Sequence, residues 1–344
     1  MPSHSYDSTV GHRDHSQPKG GRWALCIQLL FVLLALILLV FFHGQAQFQT
    51  LGIIFVSIVL EALPFMLLGT LVGGVIEVFI PREKITRWLP EGCWWTVFLG
   101  AGIGLMFPVC ECAIVPVVRR LLQKGVPLGA AVAFLLGGPI VNPLVAASTA
   151  VAYFADWSIV IRRLVFGYVV AVAVGLLVNL MFTKAAAVRR EVFSEGAHPA
   201  PAVVTGHGRP ATAGEKIAQA VSHAAQDFFD IGRFLIIGAF VAAVLQTLIP
   251  RQLFQSALST PALSILGMMT MAVLLNLCSE ADAFVAASFR SSLVPLSAQL
   301  AFMVLGPMLD IKLIAMYLKV FRRRAIAALV VLTFTAVFLI TVFI

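Results

Sequence analysis

Four short polar stretches interrupt otherwise apolar sequence, and they hold most of the reactive side chains of its interior. The first carries Cys110, Glu111 and Cys112 behind Pro108. The second carries Gly137, Gly138, Pro139, Asn142 and Pro143. The third carries Cys278, Ser279, Glu280 and Asp282, and the fourth Gly306, Pro307, Asp310 and Lys312. Thiolates suit soft or borderline species such as zinc, copper(I) or trivalent arsenic and antimony. Cys110, Cys112, Cys278 and Glu280 are therefore the candidate metal or metalloid ligands. On an intact helix Cys110 and Cys112 would point about 200° apart. They can share a solute only if the chain is locally unwound, which Pro108 and Pro116 favour. An ionised carboxylate deep in apolar sequence is costly unless paired or hydrated. Glu111, Glu280, Asp282 and Asp310 thus read as ion, proton or substrate ligands, with Lys312 as a competing structural partner. Asn142 and Asp310 follow the Gly-Pro breaks, where freed carbonyl and N–H groups can complete a coordination shell.

The elements that must position these groups are membrane helices. The chain of 344 residues is 60% hydrophobic and only 12% charged, where a soluble domain is nearer a quarter charged. Its apolar runs are too long for barrel strands, and a backbone in lipid must satisfy its own hydrogen bonds. The expected fold is all-α and polytopic, with about nine transmembrane helices. The net charge of +8 sits mainly between apolar runs and sets topology, so nucleic acid is not an expected partner. Five cysteines, an odd number, do not suggest a disulfide framework. No phosphate loop, dinucleotide fingerprint or His-Glu-x-x-His occurs. Cys-x-Cys is also a poor redox spacing. The sequence therefore predicts no enzyme and no cofactor.

Residues 1–22 read as a polar cytosolic tail with His4, His12 and His15, and residues 23–42 as a retained N-terminal membrane helix. Beyond them the chain resembles itself. Val126-Pro127-Leu128 matches Val294-Pro295-Leu296, Gly138-Pro139 matches Gly306-Pro307, Cys110 falls on Cys278 and Asn142 on Asp310, all at an offset of 168. Upstream the offset is 169, which sets Ile80-Pro81-Arg82 on Ile249-Pro250-Arg251 and Glu61 beside Asp230, near Arg233. Two permease-like repeats are expected, 48–183 and 217–344, joined by a polar linker at 184–216. Duplicated halves with broken helices point to a transport site near the bilayer midplane. Four full spans per repeat would make the halves parallel, and one re-entrant element would make them inverted. Counting nine spans places Lys19, Arg82, Arg162-Arg163 and the Lys319–Arg324 cluster on one side, the cytosolic one with the N-terminus. Arg119, Arg120 and Lys124 then fall on the wrong side, unless a re-entrant hairpin returns them.

The stretches PVCECAIVPVVRRLLQKGVP, FLLGGPIVNPLVAAST, CSEADAFVAASF and FMVLGPMLDIK resemble the YraQ/ArsP-like group of bacterial predicted permeases. The resemblance covers nearly everything from residue 48 onward. It implies a multi-pass protein of the bacterial inner membrane, in contact with lipid and with a small solute. Some members export trivalent organoarsenicals, which would make Cys110, Cys112 and Cys278 the substrate thiols. Glu111 and Ala113 stand where that form has Ser and Gly, so a metal ion is an equally apt solute. The competing expectation is a membrane subunit of a larger assembly, with a membrane-anchored accessory protein as partner.

Overall fold

The computed structural model describes residues 46–79, 93–106, 110–195, 213–248, 261–290 and 294–343. The N-terminal tail, the 23–42 segment, the 80–92 connection and Pro108 lie outside the described residues. Thr50–Ile344 forms one compact unit. Its described residues are helical, apart from turns, loops and one isolated pairing of Val188 with Phe321.

Among the described residues, four helices are long and apolar enough to cross a membrane. They are α1 (Ala46–Phe79), α6 (Trp157–Met181), α9 (Ala213–Leu248) and α14 (Arg323–Val342). Their outward faces carry large apolar side chains such as Ile53, Leu60, Ile161, Val165, Val331 and Leu339. That is the pattern of helices solvated by hydrocarbon rather than water. The shorter helices come in pairs separated by a break. These are α2 (Trp95–Gly102) with a 3₁₀ turn (Ile103–Leu105) and α3 (Glu111–Gln123), then α4 (Leu128–Gly137) and α5 (Pro143–Ala152). Past two short helices, α7 (Lys184–Ala187) and α8 (Arg190–Glu195), the series recurs after α9. It continues with α10 (Pro261–Leu275), α11 (Ala281–Ser288), α12 (Leu296–Leu305) and α13 (Ile311–Val320).

Local chemistry explains the breaks. Pro139 and Pro307 cannot donate to a helical ladder, so neither helix propagates through its Gly-Pro pair. Each following helix is then restarted by a side-chain cap. Asn142 Oδ1 accepts from Leu144 N (2.7 Å) and Val145 N (3.4 Å), with Pro143 in the first turn. Asp310 Oδ1 accepts from Leu313 N (2.6 Å). In the cysteine-bearing breaks, Cys110 is extended (φ −75°, ψ 167°), and Asn276 takes a left-handed φ of 53° that asparagine tolerates well.

Backbone contacts fix the direction of each piece. Gly100 lies on Ala130, Ala101 on Gly137 and Gly104 on Gly138, so α2 runs parallel to α4. Since α4 leaves the turn in which α3 ends, α3 runs back against α2. The pair α2–α3 is therefore a hairpin bent at its break and not a crossing. By contrast, Gly175 lies on Gly129, Gly167 on Ile140, and Arg163 on Thr149. Helix α6 thus runs antiparallel to α4 and α5 together, and that broken pair keeps one direction through its break. The second set behaves alike. Tyr153 beyond α5 donates to Gln299 near the start of α12 (2.9 Å), while Val320 at the end of α13 accepts from Arg189 N at the other end of the molecule (3.0 Å). So α12–α13 traverses the body. Helix α10 packs along α12 and ends beside Lys312, and α11 departs toward Phe154, over whose ring Arg290 sits (5.9 Å). It is a second hairpin, entering from the Tyr153 end where the first enters from the Lys124 end.

This revises two expectations. The α2–α3 and α10–α11 runs, counted as full spans when nine are assumed, fold back on themselves. Arg119, Arg120 and Lys124 consequently share one end with Lys319 and Arg322, whereas Arg162 lies at the other end and Arg163 is fully buried. The stretch read as a plain linker is also partly structured. Arg322 N donates to Ala187 O (2.8 Å) and Gln123 Nε2 to Val192 O (2.8 Å), which straps α7 and α8 across the ends of α3 and α13.

Candidate functional site

The breaks meet in the middle of the molecule, and so do the starts of α3, α5, α11 and α13. At the junction of α3 and α13, Lys312 Nζ lies 3.2 Å from Glu111 Oε1 and 3.4 Å from Asp310 Oδ2, and donates to Asn276 O at 3.5 Å. Asn276, with its amide turned so that Nδ2 faces the carboxylate, donates to both oxygens of Asp310 (3.0 and 3.1 Å). All four side chains are at most 2% exposed. A lone ammonium or carboxylate here would be prohibitively costly, so these groups are kept charged by one another. Two acids against one lysine leave this cluster a formal excess of one negative charge, and Glu111 Oε2 has no hydrogen-bond partner among the described residues.

The junction of α5 and α11 is built around Arg163. Its guanidinium donates to Thr149 Oγ1 (2.8 Å) and Ser279 O (2.7 Å) and lies 4.0 Å from Asp282 Oδ2. Arg163 Nε, Asp282 Oδ2 and Asn142 Nδ2 are buried without hydrogen-bond partners among the described residues. Sequence reasoning missed Arg163, because Arg162-Arg163 at the start of an apolar run reads as a loop boundary. The available signal was periodicity. Arg163, Gly167, Val170, Val174 and Val178 fall on one helical stripe, and all are buried.

Cys110 stands just outside α3 and Cys112 in its first turn, and both are buried next to each other. Cys278 is apart from this pair and has Glu61 of α1 as a neighbour. Glu61 therefore does not join Asp230 and Arg233, beside which its register places it. Asp230 contacts Arg233 (3.5 Å), Arg119 (3.6 Å) and Lys319 (3.2 Å) instead, and Asp227 binds Arg119 (2.7 Å) and Arg120 (2.5 Å). This network ties α3, α9 and α13 together at the Lys124 end of the molecule. Glu280 stands just before α11 without a side-chain capping bond to it and accepts from Ser279 Oγ (3.2 Å). Among the described residues no three His, Cys, Asp or Glu side chains converge as a metal site. The candidate set Cys110, Cys112, Cys278 and Glu280 is thus not assembled as a preformed cage.

The arrangement provides a buried polar seam, two opposed charge clusters and an adjacent thiol pair inside a membrane protein. Residues 47–344 match the family model ArsP_1, described as predicted permease, and the chain belongs to that family. It is 39% identical over 287 residues to UPF0718 protein YcgR of Bacillus subtilis, covering 83% of this chain and 94% of the relative. A Streptococcus mutans relative named "Putative two-component membrane permease complex subunit" is 38% identical over 273 residues, 79% of this chain and 87% of its own. UPF0718 protein YraQ of Escherichia coli is 31% identical over 112 residues, about a third of each chain. No solved structure matches the chain.

Proposed function

We propose that the protein is a permease that moves a small thiophilic or cationic solute, a metal ion or trivalent arsenical, outward across the bacterial inner membrane. Its pathway runs through the seam where the four breaks meet. The observation that carries this reading is the pair of buried charge clusters at the helix starts, one of them with unbalanced negative charge beside two thiols. Half-helix termini at membrane depth are tolerated where they line a cavity or pathway.

The two halves are inverted copies in this reading. Helices α4 and α12, and α5 and α13, have equal lengths and begin 168 positions apart. The hairpins enter from opposite ends, as an inverted duplication requires. The Lys124 end then faces the cytosol. It holds Arg119, Arg120, Lys124, Arg189, Lys319 and Arg322, against Arg162 and Arg290 at the opposite end. Transport proceeds by movement of one half against the other, with Cys110 and Cys112 contacting the solute and Glu111, Asp282 and Asp310 balancing charge. Glu280, Ser279, Asn142 and Cys278 line the remainder of the path.

Proteoliposomes containing the purified chain test this reading with zinc and a trivalent methylarsenical as probes. Uptake or release of either that is lost in Cys110→Ser/Cys112→Ser supports it. Absence of flux for both, with unchanged resistance in cells carrying the double variant, overturns it. The Streptococcus mutans relative's name favours one further element, a second subunit in the membrane. Co-purification of a defined partner required for flux would establish that.

A further inference from the structure

We infer that Asp282 is a proton-binding site, with Arg163 as its built-in counter-ion, and that protonation of Asp282 couples proton movement to solute movement. This rests on the pathway proposed above and names its coupling ion.

The argument begins from two equivalent seats. Ile114 of α3 packs on Gly138 at the first Gly-Pro break, and Asp282 of α11 packs on Gly306 at the second. Each partner of one pair is 168 positions from its counterpart in the other. The same place against a helix break thus holds a hydrocarbon in one half and a carboxylate in the other. A Cβ at Gly306 would come within 2.7 Å of Asp282 Oδ2, so the carboxylate lies directly on the break.

The two charge clusters differ in how far they are satisfied. Asp310 is held by Lys312, by the Leu313 N–H and by Asn276. It has the partners to remain ionised. Asp282 is 1% exposed, its Oδ2 has no hydrogen-bond partner among the described residues, and Arg163 stands off at 4.0 Å. Two of the guanidinium's donors are committed to Thr149 and Ser279. The charged and titratable groups around Asp282 are Arg163 from α6, Glu111 from α3, and Asp310 and Lys312 from α13. Around Arg163 itself stand Glu280, Cys278 and Tyr153. An unsatisfied buried carboxylate is relieved by an O–H bond at Oδ2, the proton coming from water on whichever side is open. With the proton bound, Arg163 carries the local positive charge alone. With it released, the guanidinium and carboxylate neutralise each other and the break can move.

Infrared difference spectroscopy of the purified full chain, as a function of pH and without added solute, tests this directly. The expected result is a protonated-carboxyl C=O band that titrates, vanishes in Asp282→Asn, moves in Asp282→Glu and persists in Asp310→Asn. Gly306→Ala removes no acid but presses on Asp282 Oδ2, and it should shift the same band. A band unchanged in both Asp282→Asn and Gly306→Ala overturns the inference, as does its loss in Asp310→Asn. Flux in proteoliposomes separates the two proposals. Wild-type flux that ignores a pH gradient, or flux in Asp282→Asn that responds to the gradient as the wild type does, sinks proton coupling and leaves the permease standing.

Discussion

Lys312, the second residue of α13, reaches across the centre of the protein to Glu111, the first residue of α3, at 3.2 Å. The two half-helices start together and run to the same end of the molecule, where Arg119 and Lys319 both meet Asp230. A buried lysine so placed holds two acids at once. Lys312→Met should therefore destabilise the protein by about 3–5 kcal/mol, the usual cost of leaving buried charge unpaired. Thermal unfolding in detergent measures it. Adding Glu111→Gln should recover part of the loss, since it removes one of the orphaned charges.

Asp227 is the shared anion of Arg119 and Arg120 and is 1% exposed. Asp227→Ala should loosen the first hairpin at the Lys124 end and cost roughly 3 kcal/mol or more. The direct reading is Cys112, 3% exposed in the intact protein. Its alkylation by a small maleimide should accelerate at least tenfold in Asp227→Ala. An unchanged rate would mean that the network does not close that end.

Direction can be checked by labelling from one side. If the α2–α3 run is a hairpin, a cysteine placed at Gln123 and one placed at Arg322 are modified by an impermeant reagent from the same face of the membrane. A cysteine at Ala155 is modified from the opposite face. Nine uninterrupted spans would instead put positions 123 and 322 on different faces.

A Cβ at Gly129 would come within 2.9 Å of Gly175 O and 2.8 Å of Asn179 Cβ, where α4 and α6 touch. Gly129→Val has no room for its methyl groups and should cost about 1–3 kcal/mol, the range for overpacked interiors. The loss should appear as a reduced monodisperse yield and a lower melting temperature.

Much of this architecture can be read from the chain. Apolar runs betray the helices, Gly138-Pro139 and Gly306-Pro307 betray the breaks, and a common offset ties Asn142 to Asp310, which both cap the helices after those breaks. What hydropathy does not reveal is whether a run such as Trp95–Gln123 crosses or returns. A half-helix that turns back is as apolar as one that continues, because both lie in the same interior. The difference is written in small residues, Gly100, Gly104 and Gly129, whose spacing lets particular backbones touch. Lys312 is visible in the sequence as an intramembrane cation, but its partner Glu111 is 201 positions away and needs the fold to be found. Arg163 lay hidden beside Arg162, since neighbouring residues on a helix face different surroundings.

The half-helices that follow the Gly-Pro breaks, α5 and α13, each have ten residues, and each is pinned at its start by a single capping side chain. At 1.5 Å per residue, that is a rod of about 15 Å. Swung about its pinned end by roughly 20°, such a rod carries its far end some 5 Å, about the width of a hydrated path for a small ion. The far end of α13 bears Lys319 and the strap at Arg189, while that of α5 bears Tyr153. In the proposed pathway both would act as levers with their fulcrums at the centre of the molecule, amplifying a change of charge there at the two ends of the path.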